Sequence, residues 1–480
     1  MSGGFADALR RAAIRMPDKI AVVDDTRRLT YAELDARVDR TAAALAERGV
    51  GAGDVVTSQL PNCGEGLVIC LAANRIGAVH NPVATIYRER ELAFIRAQAG
   101  TVAFIDRVDD DVFIGSRPSD GIPPPRGADD APRFLLYTSG STSDPKGVLH
   151  SDRTLIAECA AQAAHHELDE DEVFVTPSSL GHISGLLYGI LVPIWLGATV
   201  VLMGSWDAGR FLALVEREGG TFSGGAPAFM QGAIDHPDRG RFDLSSLRVF
   251  PCGGADVPPG LIRRAAAELG VRTGRGYGST EFPSVTTSAG PGEDDDKRAD
   301  TDGRPVGDNK VRIVDGEIQA RGPELFLGYR DASLDADAFT NDGWFRTGDL
   351  GVLDDDGYLT VTGRLKDIII RSGENISARE LEVLLSGHPK VAAVAVVARP
   401  DPRTGERVCA CVVARDDLDP PTLAELCAHL VDAGLSKRKL PETLELADAL
   451  PMTAAGKVDK HALRSGPTGT RGRTPRRSGT

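Results

Sequence analysis

The run from Tyr137 to Val148, YTSGSTSDPKGV, gathers small hydroxyl side chains and glycine directly behind the apolar Phe134, Leu135 and Leu136. Such a turn lets backbone N–H groups converge on a polyphosphate. Thr138, Ser139, Ser141 and Thr142 supply hydroxyls, Gly140 permits close approach, and Lys146 adds a cation. The loop is not a Walker A motif, because Pro145 stands where that motif needs its second glycine and Gly147 follows the lysine. A plain surface turn has the same composition. Four later segments also gather polar and glycine residues: YGSTE at 277–281, RTGD at 346–349, GRLKDIIIRSGENISARELE at 363–382 and PMTAAGKVDKHAL at 451–463. Glu281 offers a hard carboxylate oxygen of the kind magnesium prefers. Asp349 can accept two hydrogen bonds at once. Lys457 puts a cation in a Gly-Lys turn.

The elements that must position these residues follow an α/β rhythm. The chain has 480 residues, enough for two to four domains at roughly 100 to 200 residues each. Helical patterns alternate with short β-rich runs through the first 280 or so residues, as parallel α/β layers require. Residues 106–132, with DDD, SRPSDG and IPPPRG, read as a loop or junction. Residues 302–362 switch to short strands and Asp-Gly turns, a β-rich subdomain. After Arg364-Leu365-Lys366-Asp367 an autonomous strand and helix pattern begins. The expected class is α/β: a large N-terminal domain of stacked sheets with a β-rich subdomain over 1–365, a small mobile α+β domain over 366–465, and a disordered tail over 466–480.

Composition narrows the function. Sixty-nine acidic residues against 55 Lys and Arg give a net charge of -14, which disfavours non-specific attraction to nucleic acid or anionic lipid. An anionic ligand needs a local cationic site instead. The seven cysteines form no CxxC pair and no metal-ligand spacing with His, and Cys409 and Cys411 are one residue apart. They read as reduced thiols of a cytoplasmic protein. The histidines form no metal cluster, and no GxSxG elbow supports a hydrolase. Charged residues break the N-terminal segment where a signal peptide needs an apolar run. The uncharged stretch from Leu186 to Met203 is interrupted by Gly189, Pro193 and Gly197, so a buried helix followed by a buried strand is expected rather than a membrane span.

The five motif runs, in this order, resemble the adenylate-forming superfamily of acyl-CoA synthetases, luciferases and peptide-synthetase adenylation domains, from about Phe5 to Leu463. The resemblance implies an enzyme that uses ATP and Mg²⁺ to convert a carboxylic acid to an acyl-adenylate, then passes the acyl group to coenzyme A. It makes Lys457 the lysine that bridges the carboxylate and the α-phosphate, two anions that repel each other in a dry site. Glu281 would hold Mg²⁺, Thr280 would donate to the α-phosphate, and Tyr277, between Gly276 and Gly278, would stack on adenine. Asp349 and Arg364 would hold the ribose, and Gly253, Gly254 and Ala255 would admit adenine against the backbone. Lys366 matches the hinge, and Gly373 the pantetheine tunnel. His182 matches the gate between acyl pocket and thiol entrance, although a lone histidine is often structural.

Two departures stand out: Ser143 where the family usually has glycine, and Pro451-Met452-Thr453-Ala454-Ala455 in place of the commoner Arg and Ser near the lysine. The runs NPVATIYRERELAFI and PDPRTGERVCACVV look most like ligases of fatty and alicyclic acids, including the cyclohexanecarboxylate type. Amino-acid activators carry an Asp for the substrate amine where this chain reads FSGGAPAFM, so an uncharged acid tail is implied. Gly181, Gly185, Gly224, Gly225, Ala226 and Gly253 suggest a wide pocket for a bulky acid; they could equally permit turns. Two alternatives stay open: transfer of the acyl-adenylate to a carrier protein or a separate thioester-forming partner, and a nucleotide-binding regulator without turnover.

Overall fold

The N-terminal helix Phe5–Arg15 buries Phe5, Ala8, Leu9 and Ala12, the spacing of one helical face. The next helix, Tyr31–Glu47, starts at a capping box in which Thr30 accepts from the Glu33 amide and Glu33 reaches back to the Thr30 amide. Helix Gly64–Arg75 is apolar around nearly its whole circumference and is correspondingly buried. These three helices lie against one another and share a core with Phe134, Phe174, Phe222 and the helical segment after His182.

The computed structural model describes residues 3–107, 113–114, 130–138, 145–371, 374–416, 418–452 and 458–465. These divide into two compact units: one of residues 1–312, 319–346 and 353–360, the other of residues 313–318, 347–352 and 361–480. The division passes through strands Lys310–Val314, Phe345–Leu353 and Leu359–Arg364. The expected tail, 466–480, lies outside the described residues.

In the first unit a seven-stranded sheet runs in the order Gly328–Tyr329, Lys146–Ser151, Pro132–Thr138, Val79–Pro82, Val55–Ser58, Thr101–Ile105, Phe113–Ile114. Its central strands are parallel, with antiparallel partners toward both edges. A second sheet orders Arg28–Thr30, Ile20–Val23, Thr199–Leu202 and Val173–Thr176. Single bridges continue its parallel pairing from Phe174 through Phe222 and Val249 to Arg272. A third sheet, Cys252–Gly253, Arg275–Tyr277, Thr286–Thr287 and Arg304–Pro305, carries the YGSTE turn at one end.

The stretch from Leu186 to Met203 forms the expected helix and strand. Helix Ile183–Leu186 passes through a π turn, Leu187–Leu191, into helix Val192–Leu196, with Pro193 in its first turn and Gly197 as a left-handed cap. Strand Thr199–Leu202 follows. Among the described residues no helix is long and apolar enough to cross a membrane.

The second unit has its own core. Strands Glu374–Ser377, Ile368–Arg371, Gly405–Ala414 and Val391–Asp401 are antiparallel, and Thr443–Leu446 adds in parallel to Gly405–Ala414. Helices Ala378–Ser386 and Leu423–Asp432 bury Leu381, Leu385, Leu426 and Leu430 against Val396, Val408, Ala410 and Val412.

Candidate active site

Thr138 and Lys146, the described members of the expected phosphate cradle, lie at the ends of two paired strands. Strands Pro132–Thr138 and Lys146–Ser151 pair antiparallel, with Tyr137 opposite Gly147 and Thr138 opposite Lys146, both half-buried. Ser139, Gly140, Ser141, Thr142 and the departure at Ser143 lie outside the described residues. Lys146 Nζ stands 5.2 Å from the centroid of the Tyr329 ring, a cation–π contact that fixes the ammonium beside the hairpin end. The small side of Gly147 makes this geometry possible, because a Cβ there would come within 3.0 Å of Arg330 Cβ and Leu135 Cδ1.

Tyr329 connects the hairpin to the YGSTE turn. Its strand, Gly328–Tyr329, pairs with Lys146–Ser151, and its hydroxyl donates to Glu281 Oε1 at 2.8 Å. Burial and the adjacent Glu281 carboxylate push the phenol up, so it stays protonated and keeps donating. The Phe326 amide donates to the Glu281 carbonyl at 2.9 Å, holding the same residue by its backbone. A carboxylate has about four lone-pair sites. One donor orients the Glu281 group and leaves capacity for a hard cation, so this half-exposed carboxylate fits a magnesium ligand.

His150 supports Thr280 from within. Its Nε2 lies 2.8 Å from the Thr280 carbonyl and its Nδ1 3.0 Å from Thr154 Oγ1. A carbonyl only accepts, so Nε2 carries the proton. Burial pulls the imidazole down to about 4, leaving it neutral at physiological pH. The Ser279 amide donates to the Phe282 carbonyl at 2.9 Å and closes the turn, leaving Gly276, Tyr277, Gly278 and Thr280 half-exposed along its rim.

The PCGGA segment runs parallel to this rim, with Gly253 opposite Gly276. A Cβ on Gly253 would sit 2.6 Å from the Gly276 carbonyl oxygen, so the close approach excludes any side chain. Gly254 and Ala255 are exposed beyond it. The Gly253 amide donates to the Gly225 carbonyl at 3.0 Å, which places Gly224, Gly225 and Ala226 alongside.

The SSLGHISG turn is pinned by a residue that the sequence did not single out. Buried Asn62 donates to the Ser178 carbonyl at 2.7 Å and accepts from the Leu180 amide at 2.9 Å. His182, half-buried, follows this turn and caps helix Ile183–Leu186. At Gly181 and Gly185 a Cβ would meet backbone atoms at 2.4 Å and 1.9 Å. Chain packing therefore requires glycine at both positions.

In the second unit Asp349 is buried, and Arg364 Nε lies 2.9 Å from its Oδ1. The Asp349 amide donates to Thr347 Oγ1 at 3.1 Å, and the Gly348 amide to Glu317 Oε1 at 3.2 Å. Lys366 sits in a single 3₁₀ turn, Leu365–Asp367, flanked by extended Arg364 and Ile368. Arg464 ties to Asp367 at 2.7 Å, and Lys460 to half-buried Glu382 at 2.7 Å. Lys457 and Gly373 lie outside the described residues, although Met452 and Val458, flanking the lysine segment, pair as an antiparallel bridge.

Spacing alone offered the cysteines no metal-ligand reading, but strand register modifies this. Cys409, Cys411 and Glu445 have ligand atoms within 4.8 Å of one another. His150, Tyr329 and Asn62 were missed for a related reason: their partners lie 130, 48 and 116 residues away, where no local pattern reaches.

Residues 9–330 match the AMP-binding enzyme family, and residues 380–457 match the AMP-binding enzyme C-terminal domain. The chain belongs to the AMP-binding enzyme family. This AMP-binding enzyme is 34% identical over 515 residues to the medium-chain fatty-acid–CoA ligase of Escherichia coli (strain K12), covering 96% of this chain and 90% of that one. It is also 34% identical over 500 residues to the 3-[(3aS,4S,7aS)-7a-methyl-1,5-dioxo-octahydro-1H-inden-4-yl]propanoyl:CoA ligase of Mycobacterium tuberculosis (strain ATCC 25618 / H37Rv), covering 95% and 97%. Among solved structures, ATP-bound MatB from Rhodopseudomonas palustris matches with a TM-score of 0.83 at 26% identity, over 96% of this chain and 98% of that one. The AMP-binding enzyme is thus an AMP-forming acid–CoA ligase, which activates an acid with ATP, releases pyrophosphate and transfers the acyl group to coenzyme A.

Proposed function

We propose that the acid has an uncharged tail, fatty, alicyclic or bulky and polycyclic, and that the site residues divide the two half-reactions between them. The observation that carries the assignment of roles is the linkage from Lys146 through the Tyr329 ring and hydroxyl to Glu281. It joins the hairpin end to the YGSTE turn, a cation and a carboxylate held for one polyanion. Magnesium held by Glu281 would neutralise phosphate charge. Thr138 and Lys146, with Ser139 to Thr142, bind the phosphates, and Thr280 donates to the α-phosphate. Tyr277 and the Gly253 to Ala255 edge take adenine, while Asp349 and Arg364 take the ribose.

In the first half-reaction an acid oxygen attacks the α-phosphorus and pyrophosphate leaves. Lys457 lowers the repulsion between the two anions. In the second, the coenzyme A sulfur attacks the acyl carbon and AMP leaves. A backbone rotation at Lys366 withdraws Lys457 and presents the segment around Gly373 to the pantetheine. The uncharged tail is supported by FSGGAPAFM, which has no carboxylate for an ammonium, and by the names of the fatty-acid and polycyclic propanoyl ligases. A cytoplasmic location is supported by seven free cysteines among the described residues.

A panel of straight-chain, alicyclic, polycyclic and amino acids, scored by acid-dependent pyrophosphate release with products identified by mass, tests this reading. Turnover of uncharged-tail acids to acyl-CoA is expected. Preference for amino acids would overturn the tail assignment, and acyl-AMP accumulating without acyl-CoA would select a carrier-protein acceptor.

A further inference from the structure

Strand register in the second unit puts two thiols and a carboxylate on one face. Cys409 pairs with Val397 on one side and Thr443 on the other; Cys411 pairs with Ala395 and Glu445. Residues two apart on a strand point the same way, so both thiols face one small apolar cluster with Ala395, Val397 and Leu463, against which Leu450 and Val458 pack. Both cysteines are fully buried. The Cys411 thiol lies 4.0 Å from Glu445 Oε2.

A paired cation and carboxylate stand beside the thiols. The Arg399 guanidinium binds Glu445 at 2.7 Å through both carboxylate oxygens and also donates to the Leu463 carbonyl. A hard, oxygen-seeking cation would find a single carboxylate here, already shared with Arg399, whereas a soft one gains most of its binding from the two sulfurs and needs only one Glu445 oxygen besides. Zinc–sulfur bonds of about 2.3 Å put two sulfurs about 3.8 Å apart around one tetrahedral ion. The ligand atoms already lie within 4.8 Å of one another.

The cover over the thiols is thin. Leu463 belongs to helix Lys460–Ser465, six residues held by Lys460–Glu382, Arg464–Asp367 and the Arg399 contact. That is far below the roughly 12 to 15 residues an isolated helix needs. Local opening of so short an element requires much less than global unfolding. Val458, which packs on the same cluster, pairs with Met452 across residues 453–457 of the sequence.

We propose that Cys409 and Cys411, with Glu445 as third donor, form a binding site for one soft, thiophilic cation of the zinc and cadmium class, and that filling it displaces the helix beside the Lys457 segment and lowers adenylation. Binding converts two thiols to thiolates: M²⁺ plus two R–SH gives M(SR)₂ and two protons, with no change of oxidation state. The consequence for adenylation, though not the binding, rests on the role given above to Lys457.

The experiment titrates the reduced, full-length protein with cadmium chloride. The readouts are the ultraviolet thiolate-to-cadmium absorption, proton release, and acid-dependent pyrophosphate release without coenzyme A. One cadmium per chain and two protons per cadmium are expected, with pyrophosphate release falling as the band saturates. Cys409→Ala and Cys411→Ala should each remove the band, and Cys63→Ser and Cys427→Ser should leave it intact. Glu445→Gln, which keeps both thiols, should weaken binding on the order of tenfold; melting curves identify any variant that fails to fold. An absent band in the wild type, or a band that survives in a folded Cys409→Ala variant, overturns the site. Saturated binding with undiminished pyrophosphate release overturns the coupling. A wild-type protein that never releases pyrophosphate refutes the proposed function and leaves the cadmium result to stand by itself.

Discussion

Replacing Tyr329 with phenylalanine removes one atom from the candidate site and keeps the ring beneath Lys146. The hydroxyl donates to Glu281 Oε1 at 2.8 Å, a hydrogen bond to a charged group. Such bonds contribute about 1.5 to 3 kcal/mol. Glu281 is half-exposed, so water replaces part of the loss, and about 1 to 2 kcal/mol remains, or roughly 5- to 30-fold in kcat/KM for adenylation. The assay compares pyrophosphate release over a magnesium titration with thioester formation from supplied acyl-AMP. Adenylation should fall by about tenfold with a raised magnesium requirement, and thioester formation should not change. In a Glu281→Gln background the same substitution should cost much less, because the shared contact is already weakened. A folded Tyr329→Phe enzyme with wild-type adenylation, or one equally slow in both half-reactions, would refute the reasoning.

Three other outcomes follow from named contacts. Lys457→Ala should lower adenylation by about 10² to 10³ while sparing thioester formation from acyl-AMP, read by the same paired assay. Asn62→Ala leaves the Ser178 carbonyl and Leu180 amide without their buried partner; calorimetry should show a loss of about 1 to 3 kcal/mol. Glu324, buried beside Glu158, is pushed well above the usual carboxylate range by burial first and by Glu158 second. Its folded pKa lies above the unfolded value, so its stabilising contribution is complete below about 4.3 and is lost as pH rises through the folded pKa. Glu324→Gln should therefore melt higher than wild type at pH 8, with a gap that widens toward pH 10; a gap that narrows would reverse the assignment.

What could be read in advance was whatever depends on neighbours in the chain. The interrupted apolar stretch from Leu186 to Met203 announces its break through Gly189, Pro193 and Gly197, and the helices and strand change over around them. The motif runs placed Thr280 and Glu281 in a turn because Gly278 and the residues after it permit nothing straighter; a Cβ on Gly278 would lie 2.0 Å from the Pro283 carbonyl oxygen. The supports behind that turn were invisible. His150 reads as one histidine in a strand, and only the fold brings its ring to the Thr280 carbonyl. Tyr329 reads as a buried aromatic until its strand adds to the sheet edge and aims its hydroxyl at Glu281. Cys409 and Cys411 show their shared face by alternation, but Glu445 reaches them only through parallel register across 34 residues.

The tight chain crossings at Gly181, Gly185 and Gly253 exclude side chains at three of the glycines expected around the acid. Backbone atoms already occupy the space that a methyl group would need at all three positions. Gly224 differs, since a Cβ there would meet its nearest neighbours, Pro251 and Phe222, at 3.5 Å or more. A test of the expected wide pocket should begin at Gly224, where a new side chain costs the scaffold little.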